Sequence, residues 1–251
     1  MATIFEASSF EFSPPAQLTW ARRVLIKPYA SVDAPYPVTT SPGLIENIIA
    51  GIRRVTDAEI LIADGTRNGT PIYPVFQSLK YSFTRVLLLD AKDSIFLELE
   101  NPLVEFFASP TFWVPNLVLR SDFLISVAPC HVVAGSGRFT IANLLGLLPL
   151  SPRKDHGLPD YQGLKGLEID KILADLYFTL PFDLGILEAK QRYDYDTDVE
   201  TGTTSDQYGK IIVGEPFEVD TMAARLIGAK PEHLTLIEHG KQMLEEGESV
   251  Q

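Results

Sequence analysis

The chain has 251 residues, enough to bury a full core as one α/β domain or as one domain with an inserted lobe. Its 45% hydrophobic and 22% charged content is that of a globular protein, and its net charge of −12, with no Lys/Arg cluster, argues against nucleic acid or an anionic membrane surface as partner. A single cysteine excludes an intrachain disulfide and an iron–sulfur cluster held by this chain alone, and suits a reducing, cytoplasmic setting.

The start, MATIFEASSFEF, lacks a basic segment followed by an apolar one, so no secretory signal is expected. Residues 1–20, with Pro14-Pro15, read as a peripheral lead-in. Residues 23–27 form a short strand that ends with Lys27 before Pro28, and a proline-rich loop follows. Ser41 is a good N-cap and Pro42 a good first helical residue. Ile45, Ile48, Ile49, Ile52 and Val55 then make one apolar stripe. Residues 59–63 are the next strand, broken by Asp64-Gly65-Thr66. Strand, helix, strand at these lengths is a βαβ unit with parallel strands. Its carboxyl rim carries Lys27 and Asp64, and its helix start carries Thr39 and Thr40. Open α/β sheets bind ligands at that rim, and helix N-termini favour anions.

A weaker helix spans 72–81 and a strand 85–89, and residues 90–115 read as an irregular β insertion with pieces at 95–99 and 112–114. A helical turn covers 116–121. A buried strand, 123–128, breaks at Pro129-Cys130-His131, and Gly135-Ser136-Gly137 follows as a flexible turn. The longest apolar run, 139–150, holds Asn143 and Pro149 and falls short of the roughly 18 residues of a membrane span. Residues 151–163 are a loop carrying Lys154-Asp155-His156, and 164–180 a helix. A strand at 182–187 ends at Glu188, and 191–209 reads as a long exposed polar loop. Residues 210–213 are a short strand. A helix with Val219, Met222, Ala223, Leu226 and Ile227 inward closes on Gly228, and Pro231 opens the last helix, frayed from Glu245. The expected fold is α/β, three layers with a mostly parallel central sheet and a small irregular β lobe. It forms a single domain over 1–251 whose core is about 21–230. No internal repeat is evident.

The order of motifs resembles the family known as domain of unknown function 362. The matching pieces are Lys27-Pro28-Tyr29, Thr39-Thr40-Ser41-Pro42, Asp64-Gly65, Pro129-Cys130-His131, Thr140 to Gly146, Lys154-Asp155-His156 and Val219 to Gly228. They run in order over about 23–230; each is weak alone, and seven in sequence are specific. Tyr29 stands where the family usually has Asn, Pro129 where it has Lys, and Ala142 where it has Lys. The resemblance implies a fold and a site but no reaction. Some relatives append or associate with ferredoxin-like modules, whose cysteines are missing here.

Several residues carry two readings each. His131 suits a general acid/base or metal ligand as well as a half-buried structural histidine. Cys130 and His131 point to opposite faces of an extended chain, so a small buried cysteine is favoured over a Cys-His dyad. Lys27 pairs with Asp64 across strand ends or holds an anion. Asp194, Asp196, Asp198 and Glu200 alternate like calcium ligands, but Val199 replaces the required glycine and a solvated acidic loop is favoured. Asp220 is a cap-like carboxylate or a metal ligand.

The leading functional expectation is an enzyme, or the remnant of one, acting on a small anionic substrate at the carboxyl rim. Lys27, Thr39, Thr40, Asn143 and Lys154 would bind the substrate. His131, His156 and Asp64 would be catalytic, with a divalent metal, held in part by Asp220, as a candidate cofactor. The alternative is a non-catalytic ligand-binding or scaffold protein that keeps the family fold. A partner of a separate iron–sulfur protein is a third reading, and a homo-oligomer is left open.

Overall fold

The computed structural model describes residues 1–149, 167–180 and 182–248. Its centre is an eight-stranded mixed sheet. In chain order the strands are β1 (Thr3–Glu6), β2 (Arg23–Pro28), β3 (Glu59–Asp64), β4 (Val86–Asp90), β7 (Phe123–Val133), β8 (Ser136–Arg138), β9 (Leu184–Tyr195) and β10 (Thr203–Gly214). Their order across the sheet is β1-β10-β9-β7-β2-β3-β4, with β8 paired to β7. From β9 to β4 all neighbours are parallel, and β10 and β1 extend that side antiparallel. A separate two-stranded sheet joins β5 (Phe96–Glu100) to β6 (Thr111–Pro115), the expected small lobe. The fold is thus α/β with a mostly parallel sheet, as the sequence predicts.

The parallel strands are apolar on both faces, as a sheet covered on both sides requires. Val24 and Ile26 of β2, Ile60 and Ile62 of β3, and Ile125 and Val127 of β7 pack with one apolar cluster. Helices α1 (Pro42–Arg53) and α2 (Tyr73–Ser78) cover that side. Leu25, Leu61, Ala63, Leu124, Ala128 and Cys130 face a second cluster. That side is covered by α4 (Thr140–Asn143), α5 (Leu167–Thr179), α6 (Pro216–Ile227) and α7 (Glu232–Glu248), while α3 (Asn116–Leu119) supplies Leu117 and Val118. Helix α1 starts as expected: Ser41 Oγ accepts a bond from Leu44 N at 3.3 Å, with Pro42 just inside. Val55 lies beyond the helix end and is exposed, so the buried stripe stops at Ile52.

Three expectations need correction. Residues 1–20 are peripheral only in part: most are exposed, but β1 pairs with β10 at the sheet edge, and Phe10, Phe12 and Leu18 are buried against the α1 side. The strand from Phe123 does not break at Pro129-Cys130-His131 but runs eleven residues to Val133. Pro129 has no N–H to donate, and the sheet absorbs this with a bulge: Pro129 faces Glu188 and Cys130 faces Arg192. The chain then reverses at Ala134 and Gly135, both left-handed at φ 48° and 83°, the geometry of a two-residue hairpin turn. Finally, residues 191–209 are mostly not loop; β9 and β10 form a long hairpin arm there. Alternating polar and aromatic residues such as Gln191, Tyr193 and Tyr195 give a half-exposed strand no apolar run to announce it.

Strands β2, β3 and β4 step toward one edge of the sheet, and the chain then crosses back to lay β7 on the other side of β2. The strand order therefore reverses between β2 and β7. A crevice opens at the carboxyl ends of strands at such a point. Among the described residues no helix is long and apolar enough to cross a membrane.

Phe12→Ala should destabilise the protein by about 3–5 kcal/mol in urea denaturation, the cost of emptying a buried phenylalanine site. A loss below about 1 kcal/mol would return the N-terminal segment to the periphery.

Candidate functional site

Lys27 ends β2 inside the protein at 1% exposure, facing a completely buried Asp64 at the end of β3. Their charged atoms are 2.7 Å apart. Lys27 Nζ also donates to Pro28 O at 2.9 Å and to Asn143 Oδ1 at 2.8 Å, so three acceptors meet its three protons. Asp64 accepts from Ala30 N at 2.7 Å and Gly65 N at 2.8 Å. Burial pushes Lys27 down and Asp64 up from their ordinary ranges, and each partner's charge opposes that push. Of the two readings of Lys27, the ion pair across strand ends is the one found. Gly146 closes over the pair: a Cβ there would lie 2.6 Å from Asp64 Oδ1 and 2.9 Å from Lys27 Nζ.

Asn143 joins the two sides of the strand reversal. Its Nδ2 donates to Lys27 O of β2 at 2.9 Å, to Ser126 Oγ of β7 at 3.1 Å and to Val127 O at 3.3 Å. Asn143 ends α4, and Asp220 of α6 caps the start of that helix. Asp220 Oδ1 accepts from Thr140 N at 2.9 Å and Thr140 Oγ1 at 2.5 Å, and Oδ2 from Ile141 N at 3.0 Å. Burial raises Asp220 to about 7 despite these bonds. The cap-like reading of Asp220 holds, and its oxygens are taken. Among the described residues no group of three or more His, Cys, Asp or Glu side chains is placed to hold a metal ion.

Thr39 and Thr40 are buried and structural rather than open to a substrate. Thr40 Oγ1 donates to Val127 O at 2.9 Å and accepts from Tyr29 N at 3.0 Å, and Thr39 Oγ1 donates to Ala34 O at 2.6 Å. Helix α1 itself begins two residues further on, where its cap Ser41 is held by Glu188 of β9. Lys154 and His156 lie outside the described residues.

Above this floor a cleft of about 510 Å³ opens at the carboxyl ends of β2, β7 and β9. Ala128, Phe139, Ala142 and Leu145 give it an apolar wall, and Tyr29, Arg67, His131 and Asn143 a polar one. Arg138 also reaches it, held by Asp170 of α5 through two contacts of 2.7 and 3.1 Å. Asp170 is held in turn by His233 Nδ1 at 3.0 Å, and Arg138 and His233 keep it well below the usual carboxylate range against the opposing effect of burial. His233 Nε2 finds no hydrogen-bond partner among the described residues and stands 4.0 Å from Asp220 Oδ2.

His131 lines the cleft at only 2% exposure. Its ring packs among Tyr29, Tyr193 and Tyr195, with centroids 4.9, 5.7 and 5.4 Å away. Nε2 lies 3.1 Å from Pro37 O, a pure acceptor, so Nε2 carries the proton of the neutral ring. Burial lowers its pKa to about 4. Cys130 points the other way into the core, and burial pushes its thiol up to about 12. The acidic stretch after β9 is also occupied: Asp194 is bound by Arg192, and Asp198 caps a short turn at Glu200 N.

The sequence reading missed Tyr29, Arg67, Arg138 and Tyr195 as contact residues. Arg67 had a visible signal, since it continues the turn after β3 by one residue. Arg138 and Tyr195 had none, because both sit on stretches read as turn or loop.

Residues 24–225 match the family described as Domain of unknown function (DUF362). No curated protein matches the chain.

Lys27→Met leaves a buried carboxylate unpaired and should cost about 3–5 kcal/mol in urea denaturation. Adding Asp64→Asn to it should cost much less than the two single losses together; additive losses would mean that the ions do not act as a pair. For His131 the folded pKa lies below the unfolded value near 6.5, so the unfolded chain takes the proton first. Stability should fall by about 3 kcal/mol as pH drops from 6.5 to 4 on this account. His131→Phe, compared with wild type across that range, should remove this part of the slope; parallel curves would contradict a depressed imidazole.

Proposed function

The chain belongs to the domain of unknown function 362 family, and on that premise we propose that it binds a small anionic organic molecule in the cleft above Asn143. The observation that carries the reading is a coincidence of place. The cleft opens where the strand order reverses, between β2 and β7, the position at which open α/β sheets take ligands. A volume of about 510 Å³ is that of a small-molecule site, and an apolar wall with few convergent polar groups is its usual character.

Rigid floor elements support the reading. The Lys27–Asp64 pair, Asn143 and the Asp220 cap fix the strand ends and α4 beneath the cleft. They have their own partners and offer little to a ligand. The groups that line the cleft include two guanidinium groups, Arg67 and Arg138, which would draw an anion, beside three carboxylates, Asp170, Asp196 and Glu232, of which Asp170 already pairs with Arg138. His131 serves as a neutral wall residue: its proton is committed to Pro37 O, and a ring of pKa about 4 is a weak base near neutral pH. Binding, rather than acid/base chemistry, is therefore the function that the geometry favours.

A thermal-shift panel of small organic anions, cations and neutral molecules tests this. An anionic compound at about a hundred times its Kd should stabilise the fold by roughly 2.7 kcal/mol. Ala142→Phe, which fills the apolar wall, should abolish that shift with the fold intact. A bound anion indifferent to Ala142→Phe would put its site elsewhere.

A further inference from the structure

Behind Arg138 lies a buried nitrogen with nothing to bond. His233 sits in the first turn of α7 and is fully buried. Its Nδ1 lies 3.0 Å from Asp170 Oδ1, an acceptor only, so Nδ1 carries the proton of the neutral ring. That tautomer leaves Nε2 with a bare lone pair. Nε2 has no hydrogen-bond partner among the described residues, and it faces Asp220 Oδ2 at 4.0 Å. Asp220 is fully buried as well. Its Oδ2 accepts one bond, from Ile141 N, and keeps a second lone pair. Two buried lone pairs therefore confront each other with no donor between them. A single added proton turns this opposition into a charge-assisted hydrogen bond once the gap closes by about 1 Å.

The same cluster reaches the cleft. Asp170 is shared: it holds His233 on one side and the cleft-lining Arg138 on the other. Among the described residues, Arg138 of β8, Asp170 of α5 and Asp220 of α6 face His233, and the exposed Glu232 precedes it on α7. Glu215, the cap of α6, and Cys130 of β7 bear on Asp220 from further off. Arg138 balances the charge of Asp170. Asp220 pairs with no Lys or Arg among the described residues, and burial raises it to about 7. An anion bound at Arg138 upsets this balance. It takes part of the guanidinium's charge, and Asp170 then attracts a proton on His233 more strongly.

We propose that binding of an anion to Arg138 in the cleft is coupled to uptake of a proton by His233, which Asp170 and Asp220 then hold between them. The proton comes from solvent and forms a bond to Nε2, while Nδ1 keeps its own. The ring becomes a cation between two carboxylates. It ties the start of α7 to the Asp220 cap of α4, and through α4 to Asn143 on the cleft floor. The coupling is reciprocal: protonation strengthens anion binding by the factor by which the anion raises the proton affinity. The inference rests on the reading of the cleft as an anion site and adds its regulation by pH. His233 does not line the cleft and acts as a positioning residue through Asp170.

Isothermal titration of the full chain with benzenesulfonate and phenylacetate tests it. Both stay ionised from slightly acidic to alkaline pH, so any proton taken up belongs to the protein. At pH 8, above the Asp220 range, binding heats in HEPES and in Tris should differ by the heat of drawing about half a proton or more from the buffer. Affinity should fall about tenfold from pH 6 to pH 9, because the protonated form binds the anion better. His233→Asn keeps an amide N–H for Asp170 but removes Nε2. It should abolish the uptake and flatten the pH profile, with affinity at pH 9 within about threefold of wild type. The buffer comparison needs only the wild-type protein, so it stands even where the variant fails to fold. Equal heats in the two buffers overturn the coupling and leave the anion reading in place. Uptake that survives His233→Asn belongs to another group and overturns the role of His233. If neither anion binds, the coupling falls; if the broader thermal-shift panel is also silent, the anion reading falls with it.

Discussion

One side chain, Asn143, holds the strand reversal together. The strand order turns between β2 and β7, which pair side by side as far as Pro28 and Val127. Asn143 supplies donors to both, through Lys27 O and Val127 O, and its own oxygen accepts from Lys27 Nζ. Lys27 then reaches β3 through Asp64. Three strand ends are thus fixed by one amide and one buried ion pair. A buried pair of this kind is weak evidence for added stability, but breaking it is costly, so it fixes position more than it adds energy.

Rigidity spreads outward from that point. Helix α4 is a single turn and could not hold itself in place by its own hydrogen bonds. Asp220 caps it from α6, Ser126 Oγ donates to Thr140 O from beneath, and Gly146 lets the chain after it lie flat on the ion pair. The residues on which the sequence resembles the family, Lys27, Asp64, Asn143 and Asp220 among them, are mostly these hidden ones. The groups that face the cleft, such as Arg67 and Arg138, sit next to the motifs rather than within them. A protein can therefore keep the frame and change what it binds by altering neighbours of the frame.

Much of the frame was readable in the sequence. Apolar runs at 24–26, 60–63 and 123–128, with a capped helix between the first two, are enough to imply parallel strands and a carboxyl rim. Lys27, Asp64 and Asn143, read as sharing one rim, bond to one another, while His131 lines the adjoining cleft. Their roles were harder to read, because a lysine at a strand end looks the same whether it meets a ligand or an aspartate. The hairpin arm of β9 and β10 escaped notice because its outer half is polar, and period-two patterning is faint where both faces meet water. The burial of Phe10, Phe12 and Leu18 escaped for a different reason. Short segments between prolines carry no periodicity, and only the finished surface of α1 gives them somewhere to pack.

The pairing of β1 with β10 also bears on how the chain comes to fold. Thr3 lies opposite Val213, so this edge of the sheet closes a loop of more than two hundred residues. The parallel strands β2, β3 and β4 need only nearby sequence and can assemble early. β1 cannot find its place until β10 has been synthesised and has turned back on β9. Loop-closure entropy makes such distant pairings slow to form, which puts this edge among the last contacts made. Phe10 and Phe12, by contrast, pack on α1 and bond to its Asn47, so the rest of the N-terminal segment can be held before β1 finds its edge.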